Sequence, residues 1–210
     1  MIFIVNTENR SLFESDLLEM HRQRKAVFVD KAGWRIPVRG DMEIDRYDRP
    51  ETTYLIAKRT PEAGEVLASV RLLPTVLPHL MSDLFREACS GVVPSGPSVW
   101  EVSRFCVSQR ICERSARLAL LWEIITAVLE TGLLFGIEQV TFVANRALLP
   151  LALGCGWNAT PLGPTLRDGN DEITAVAAAI TPHALREVRS RFGIIGPVTR
   201  FPIPLSQVAA

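Results

Sequence analysis

The run LALLWEIITAVLETGLLFGI, Leu118 to Ile137, constrains the fold of this chain more than any other stretch. A helix of that length and hydropathy is long enough to cross a bilayer. Glu123 and Glu130 argue against it: seven residues apart, they fall on one helical face and leave the other faces apolar. Such a helix is stable in water only when other apolar layers cover it. The remaining sequence must therefore supply a sheet, and its pattern does.

A short strand over about 2–6 leads into SLFESDLLEMHRQRKAVFV, where Leu12, Phe13, Leu17, Met20 and Phe28 recur at helical spacing and Ser11 with Glu14 reads as a capping box. The stretch Asp30 to Pro50 is rich in charge, glycine and proline and has neither helical nor strand periodicity. Its length marks it as a functional, mobile loop. TTYLIAKR and EVLASVRLLP read as strands joined by TPEAG as a hairpin turn, PHLMSDLF as a short helix, and PSVWEVSRFCV as the next strand. After the long helix come a strand EQVTFVA, a helix through NRALLPLALGC, strands near WNATPLGP and EITAVAAAI, and a last helix PHALREVRSRF. Strands that arrive first as a hairpin and later alternate with helices predict an α/β fold, a mixed sheet sandwiched by helices. No linker divides residues 1–210, so one domain is expected.

Composition removes several function classes. The formal net charge is zero, which gives no global attraction to nucleic acid or an anionic membrane. Cys89, Cys106, Cys112 and Cys155 lack CxxC spacing, and His21, His79 and His183 are scattered, so neither a metal site nor a disulfide framework is expected. Reduced thiols and a start (MIFIVNTENR) without a basic, apolar leader predict a cytoplasmic protein. GxGxxG, P-loop, HExxH and GxSxG motifs are absent.

The chemistry must then come from isolated polar side chains, and VWEVSRFCV is where they stand out. Strict alternation puts Val99, Glu101, Ser103, Phe105 and Val107 on one face and Trp100, Val102, Arg104 and Cys106 on the other. A carboxylate, a hydroxyl and a guanidinium in mid-strand fit either an edge strand with an ion pair or a site. Arg24 and Phe28 share a helix face, and Trp34, Asp45 and Asp48 follow in the loop. Singly, Phe28 and Trp34 read as core, and Asp45 and Asp48 as solvated charges. Arg71, between ASV and LLP, is different, because a buried arginine needs a paired acid.

Together, RKAVFVDKAGW, DMEIDRYD, YLIA, ASVRLLPT and WEVSRFCV occur in the order and spacing of LuxI-type acyl-homoserine-lactone synthases. The chain resembles that family over most of its length, most densely from Arg24 to Val107, at Arg24, Phe28, Trp34, Asp45, Asp48, Arg71, Glu101 and Arg104. The resemblance implies a fold similar to GCN5-type N-acetyltransferases. It implies an enzyme making an N-acyl-L-homoserine lactone quorum-sensing signal from S-adenosylmethionine and an acyl thioester on acyl carrier protein or coenzyme A. S-adenosylmethionine is then a substrate, and no cofactor, metal, nucleic acid or membrane partner is expected. The implied catalytic set is Glu101, Ser103 and Arg104, with Glu101 taking a proton from the substrate α-amine. Arg24 and Arg104 would offer forked donors to the methionine carboxylate, Phe28 and Trp34 aromatic faces to the sulfonium. Asp45 and Asp48 would supply counter-charge, Asp48 tied to Arg71. For Glu101 and Arg104 to act together, alternation must fail between them, so a bulge or splay is expected around Ser103.

The implied acyl pocket draws on Phe105, Trp122, Thr141, Val143 and Leu149, with Met81, Leu84, Leu118 and Leu121 as further walls. Thr141 stands where family members accepting 3-oxo-acyl chains often carry a hydroxyl. Arg110, Arg114 and Arg117, at helical spacing, would dock an acidic carrier or a pantetheine phosphate; Cys106 and Cys112 read as buried thiols. An acetyl-CoA-dependent N-acetyltransferase is the first alternative, though SQRICERS lacks the glycines of a pyrophosphate loop. A non-catalytic binding protein is the second, and it would leave the charged residues exposed and dispersed.

Overall fold

The computed structural model describes residues 1–61, 65–169 and 171–204. In chain order the elements are β1 (Ile2–Val5), a 3₁₀ turn (Arg10–Phe13), α1 (Glu14–Arg24), a π-helical segment (Lys25–Lys31), β2 (Val38–Arg39), β3 (Met42–Glu43), β4 (Thr53–Lys58) and β5 (Val66–Pro74). Then follow α2 (Leu80–Asp83), a second 3₁₀ turn (Arg86–Ala88), β6 (Val99–Val107), α3 (Arg114–Leu134), β7 (Gln139–Asn145) and α4 (Leu149–Gly154). β8 (Ala159–Pro161), β9 (Leu166–Asp168), β10 (Asp171–Ala179), α5 (Pro182–Phe192) and β11 (Thr199–Arg200) complete it. The chain divides into two compact units, one of residues 1–71, 104–127 and 198–210, the other of 72–103 and 128–197.

In the first unit the strands run β11-β1-β4-β5-β6. β1 is antiparallel to β4, Ile2 opposite Ala57 and Val5 opposite Tyr54, and parallel to β11. Met20 and Leu17 of α1 pack on Phe3, Val5, Phe13, Tyr54, Ile56 and Val66. The expected capping box is absent: Ser11 lies in the 3₁₀ turn, and α1 starts after Phe13 without a side-chain cap. The loop of 30–50 also holds more structure than its composition suggested. Residues 30–41 are almost wholly exposed, but β2 and β3 form a small hairpin around Gly40, whose φ of 61° suits glycine. Beyond the hairpin, Glu43, Asp45 and Tyr47 are buried at a period of two. The TPEAG turn lies largely outside the described residues.

In the second unit β7 pairs antiparallel with β10 over seven positions, and β8 and β9 extend β10. Met81 of α2 joins Ala88, Cys89, Val93 and Ala175, with Phe85, Val143, Leu162 and Leu166 around them. The apolar run is largely buried helix: Ile124, Ile125, Val128 and Leu129 are enclosed, and Glu130 binds Arg189 at 2.6 Å. At Gly132 an added Cβ would lie 2.7 Å from Ile180 Cγ2, so only glycine lets α3 approach there. No helix of the described residues is long and apolar enough to cross a membrane.

β6 is irregular where its charges cluster. Its parallel ladder with β7 covers Val99, Trp100 and Glu101 against Gln139, Val140 and Thr141. At the two ends of the β5–β6 pairing, Val99 O accepts from Thr75 N and Leu67 O from Ser108 N. Leu67 and Thr75 are eight positions apart, whereas Val99 and Ser108 are nine apart, so β6 carries one extra residue, a bulge. Arg104 has a φ of 57°, a left-handed conformation that costs a non-glycine residue about 1–2 kcal/mol.

Candidate active site

The first unit gathers three arginines and three carboxylates. Arg24, from the end of α1, gives Nε to Glu43 at 2.5 Å and both terminal nitrogens to Asp48 at 2.8 and 2.9 Å. Arg71, from β5, holds both oxygens of Asp45 at 2.7 and 3.1 Å and reaches Asp48 Oδ1 at 3.0 Å. Arg104 donates to Glu43 at 3.1 Å and to Asp45 at 2.8 Å, which holds its left-handed backbone in place. Tyr54 donates its hydroxyl to Asp48 at 2.8 Å, and the Asp45 backbone N–H bonds Asp48 Oδ2. Arg24, Arg71 and Glu43 are each at most 1% exposed.

The charges of these six side chains sum to zero, which lets them stay ionised away from water. Burial would push the Asp48 carboxyl up, but hydrogen bonds and charge from Arg24, then the charge of Arg71, hold it well below the usual carboxylate range. Burial would lower Arg24, and Asp48 and Glu43 instead carry it above its ordinary value. The oxygens of Glu43, Asp45 and Asp48 lie within 4.8 Å of one another, a spacing that suits a cation. Here the arginines supply the positive charge.

This arrangement corrects several expectations. The forks of Arg24 and Arg104 are engaged by protein carboxylates, the side chains of Asp45 and Asp48 are enclosed, and Asp48 pairs with Arg24 as well as with Arg71. Glu43 and Tyr54 were not singled out in the sequence. Three buried arginines set against two aspartates leave one positive charge unmatched, and that arithmetic points to Glu43.

Phe28 and Trp34 stack with ring centroids 4.8 Å apart and planes 13° apart, the π-helical segment bringing Trp34 N–H to the Phe28 carbonyl. Phe28 is buried under the Arg104 guanidinium, 5.9 Å from its ring centre, while Trp34 is 45% exposed. His21 donates Nδ1–H to the Glu43 carbonyl at 2.9 Å; burial first, then the charge of Arg24, lowers its pKa.

The second unit holds Glu101, which is 2% exposed. Its two oxygens accept the backbone N–H groups of Leu80 at 3.2 Å and Met81 at 2.6 Å, so the carboxylate is oriented by α2. Ser103 is half-buried, immediately before Arg104. Thr141 faces Glu101 in the β6–β7 register, fully buried, its Oγ1 without a hydrogen-bond partner among the described residues. Val143 and Leu149 are half-buried in the second unit, Phe105 and Trp122 half-buried in the first. Met81 is enclosed, whereas Leu84 is 61% exposed.

Arg110 and Arg114 are exposed, whereas Arg117 turns inward to the carbonyls of Ser108 and Ile111 at 3.3 and 3.2 Å. Cys106 is buried, and burial pushes its thiol up to about 12; Cys112 is exposed, contrary to expectation.

The family model described as autoinducer synthase matches residues 8–187. Isovaleryl-homoserine lactone synthase of Bradyrhizobium diazoefficiens is 34% identical over 197 residues, 92% of this chain and 86% of that protein. An acyl-homoserine-lactone synthase of Pseudomonas aeruginosa is 30% identical over 195 residues, 91% of this chain and 96% of that protein. A CoA-dependent acyl-homoserine lactone synthase solved with S-adenosylmethionine and isopentyl-CoA superposes with a TM-score of 0.86 at 31% identity, covering 100% of this chain and 97% of that one. An acyl-CoA N-acyltransferase from Pseudomonas aeruginosa, 18% identical with a TM-score of 0.57 over 85% of this chain and 99% of that one, shares the fold.

Proposed function

We infer the reaction from one premise: this chain belongs to the autoinducer synthase family. It is an acyl-homoserine-lactone synthase, an acyltransferase that joins an acyl thioester to S-adenosylmethionine and closes the homoserine lactone with release of methylthioadenosine. The observation that supports this reading beyond the family match is the buried, neutral Arg–carboxylate network of the first unit; the second unit holds its own oriented carboxylate, Glu101.

The first step is acylation. A free α-amine has a pKa of about 7.7–8.0, so near neutral pH most of it is protonated and cannot attack. We assign Glu101 as the acceptor of that proton, directly or through one water. The amine nitrogen bonds the thioester carbonyl carbon, the carbon–sulfur bond breaks, and the thiol leaves with its carrier. Ser103 and Arg104 lie where β6 is irregular, Arg104 with a φ of 57°, and we assign this stretch to the side of the developing oxyanion. In the second step the methionine carboxylate attacks its own γ-carbon and expels a neutral thioether, so the protein has only to fold the chain and exclude water.

For S-adenosylmethionine we assign the stacked Phe28–Trp34 pair to the sulfonium cation. Arg24, Asp45, Asp48, Arg71 and Arg104, with Glu43, form the polar wall that orients it. Their mutual bonds make that wall rigid, and a rigid wall is pre-organised. Phe105, Trp122, Thr141, Val143 and Leu149 are assigned to the acyl chain. Acyl-CoA is our choice of donor, supported by the CoA-dependent relatives, with exposed Arg110 and Arg114 available to its phosphates. An acyl carrier protein is the competing donor. Both substrates are cytoplasmic metabolites, which is where we place the enzyme.

Incubation with S-adenosylmethionine and matched acyl-CoA and acyl carrier protein panels, followed by mass spectrometry, tests this reading. We expect acyl-homoserine lactone and methylthioadenosine, with CoA donors faster. Lactone from carrier-bound donors alone would overturn the donor choice, and N-acetylated amines without methylthioadenosine would support the acetyltransferase reading instead.

A further inference from the structure

In the second unit, the hold on Glu101 depends on a residue outside the proposed site. The carboxylate accepts the first two amides of α2, Leu80 N–H at 3.2 Å and Met81 N–H at 2.6 Å. Those amides can orient Glu101 only as well as α2 is itself held against β6. Met81 anchors α2 in the apolar cluster with Ala88, Cys89, Val93 and Ala175. The other anchor is Thr75, which ends the segment ASVRLLPT immediately after β5.

Thr75 is 3% exposed, and all three of its polar atoms are bonded. Its N–H and its hydroxyl both donate to the Val99 carbonyl, at 3.3 and 2.6 Å, which uses both lone pairs of that oxygen. The hydroxyl also accepts the Gly96 N–H at 3.0 Å, and the Thr75 carbonyl accepts the Ser95 hydroxyl at 2.8 Å. Val99, Trp100 and Glu101 pair regularly with β7, so Thr75 is fastened to the same firm stretch of β6 that carries the carboxylate. In the other direction only residues 76–79 separate Thr75 from Leu80, and they are stiff. Pro78 has a fixed φ and restricts Leu77 before it. His79 Nδ1 lies 3.0 Å from the Leu77 carbonyl, and the Ser82 hydroxyl donates to the His79 carbonyl at 2.9 Å. Thr75 therefore joins the strand that bears Glu101 to the turn that bears the amides.

We propose that Thr75 is a positioning residue for acylation: its hydroxyl sets the spacing of α2 from β6 and so keeps the Leu80 and Met81 amides on Glu101. The proposal rests on the assignment of Glu101 as proton acceptor. Amide hydrogen bonds favour the ionised carboxylate over the neutral acid. Without the hydroxyl the turn loses its side-chain bonds to Val99 and Gly96, and the amides draw back. The charged form of Glu101 is then less favoured and its pKa rises. The acceptor stays protonated, and unable to take the amine proton, up to a higher pH.

The test is single-turnover acylation per folded molecule, with S-adenosylmethionine and acyl-CoA both saturating, between about pH 5 and 9. The acidic limb of that rate reports ionisation of the base in the substrate complex. Thr75→Val keeps the shape and removes the hydroxyl, so the limb should move up by about one pH unit and the plateau fall about tenfold. Thr75→Ala, which cannot crowd the turn, should do the same and replaces the valine variant if that one does not fold. Thr75→Ser keeps the hydroxyl and should return the limb to its wild-type position. A hydroxyl that only supported the fold would lower Tm in both deletions and leave the limb in place, and that result would overturn the proposal. A serine variant indistinguishable from Thr75→Val would overturn it as well. Glu101→Gln separates these failures from failure of the underlying assignment. A wild-type limb retained in Glu101→Gln would remove the proton acceptor itself, whereas a limb lost there but unmoved in Thr75→Val would remove only the role of Thr75.

Discussion

The two units bury charge in opposite ways. In the first, Arg24, Arg71 and Arg104 meet Glu43, Asp45 and Asp48, so each ion is compensated by another ion. In the second, Glu101 is held by two neutral backbone amides. A network of matched ions resists any change of protonation, because removing one charge strands its partners. A carboxylate that accepts two backbone amides is fixed in orientation by neutral donors in those two bonds. The comparison teaches that one chain uses two ways of burying a carboxylate, matched ions in the first unit and backbone amides in the second.

The comparison can be broken at its largest expected effect, Glu101→Gln. Loss of the proton acceptor should slow acylation by roughly 10²–10⁴-fold, with partial recovery at higher pH as the amine deprotonates unaided. The amide has one acceptor oxygen where the α2 amides use two, so a stability loss of about 1–3 kcal/mol should accompany it. Single-turnover acylation per folded molecule, read beside thermal unfolding, separates the two; full activity per folded molecule would remove Glu101 from the chemistry.

Asp48→Asn probes the other region. It strands Arg24 and weakens Arg71 inside the protein, and should cost about 3–5 kcal/mol in urea unfolding. An unchanged midpoint would mean that the network carries no structural burden.

How far the sequence could be read differs between the two regions for the same physical reason. The sheet and its helices were legible from periodicity, and the bulge in β6 from the odd offset between Glu101 and Arg104. The ion network was legible from Arg71, which had to find an acid, and less so at Glu43, one acid among several in DMEIDRYD. Glu101 was visible as a misplaced charge, but its partners were not, because backbone N–H groups at Leu80 and Met81 leave no mark on residue identity. The Ser11–Glu14 box failed because the chain tightens into a 3₁₀ turn there and buries Phe13 against Phe3.

Trp34 gives a smaller effect. Partly exposed and stacked on Phe28, it should bear on the substrate more than on the fold. Trp34→Leu should raise the KM for S-adenosylmethionine about 2- to 30-fold, the range of a cation–π contact, with little change in Tm. A large fall in Tm would make it a core residue.

Acid titration sharpens the contrast further. An unfolded aspartate titrates near 3.9, about the value in model peptides, and the folded Asp48 carboxyl well below that. As pH falls the unfolded chain therefore binds the proton first. The contribution of Asp48 is full above about pH 4 and lost progressively below it. Urea midpoints from pH 5 to 2 should fall, and fall less steeply in Asp48→Asn. The smallest effect belongs to His21, whose folded pKa is lowered by burial and by Arg24. The unfolded ring accepts a proton first, so stability is complete above about pH 6.5 and declines below it. His21→Gln should flatten the urea-midpoint profile between pH 7 and 5, and an unchanged profile would exclude His21 as its source.

Rapid-quench mass spectrometry of one turnover with S-adenosylmethionine and acyl-CoA addresses the order of the two bond-forming steps. Acylated S-adenosylmethionine should appear first, with its rate rising with pH, and should then decay into equal amounts of methylthioadenosine and acyl-homoserine lactone. Methylthioadenosine formed before any acylated species, or thioester consumed only to free acid, would contradict the account.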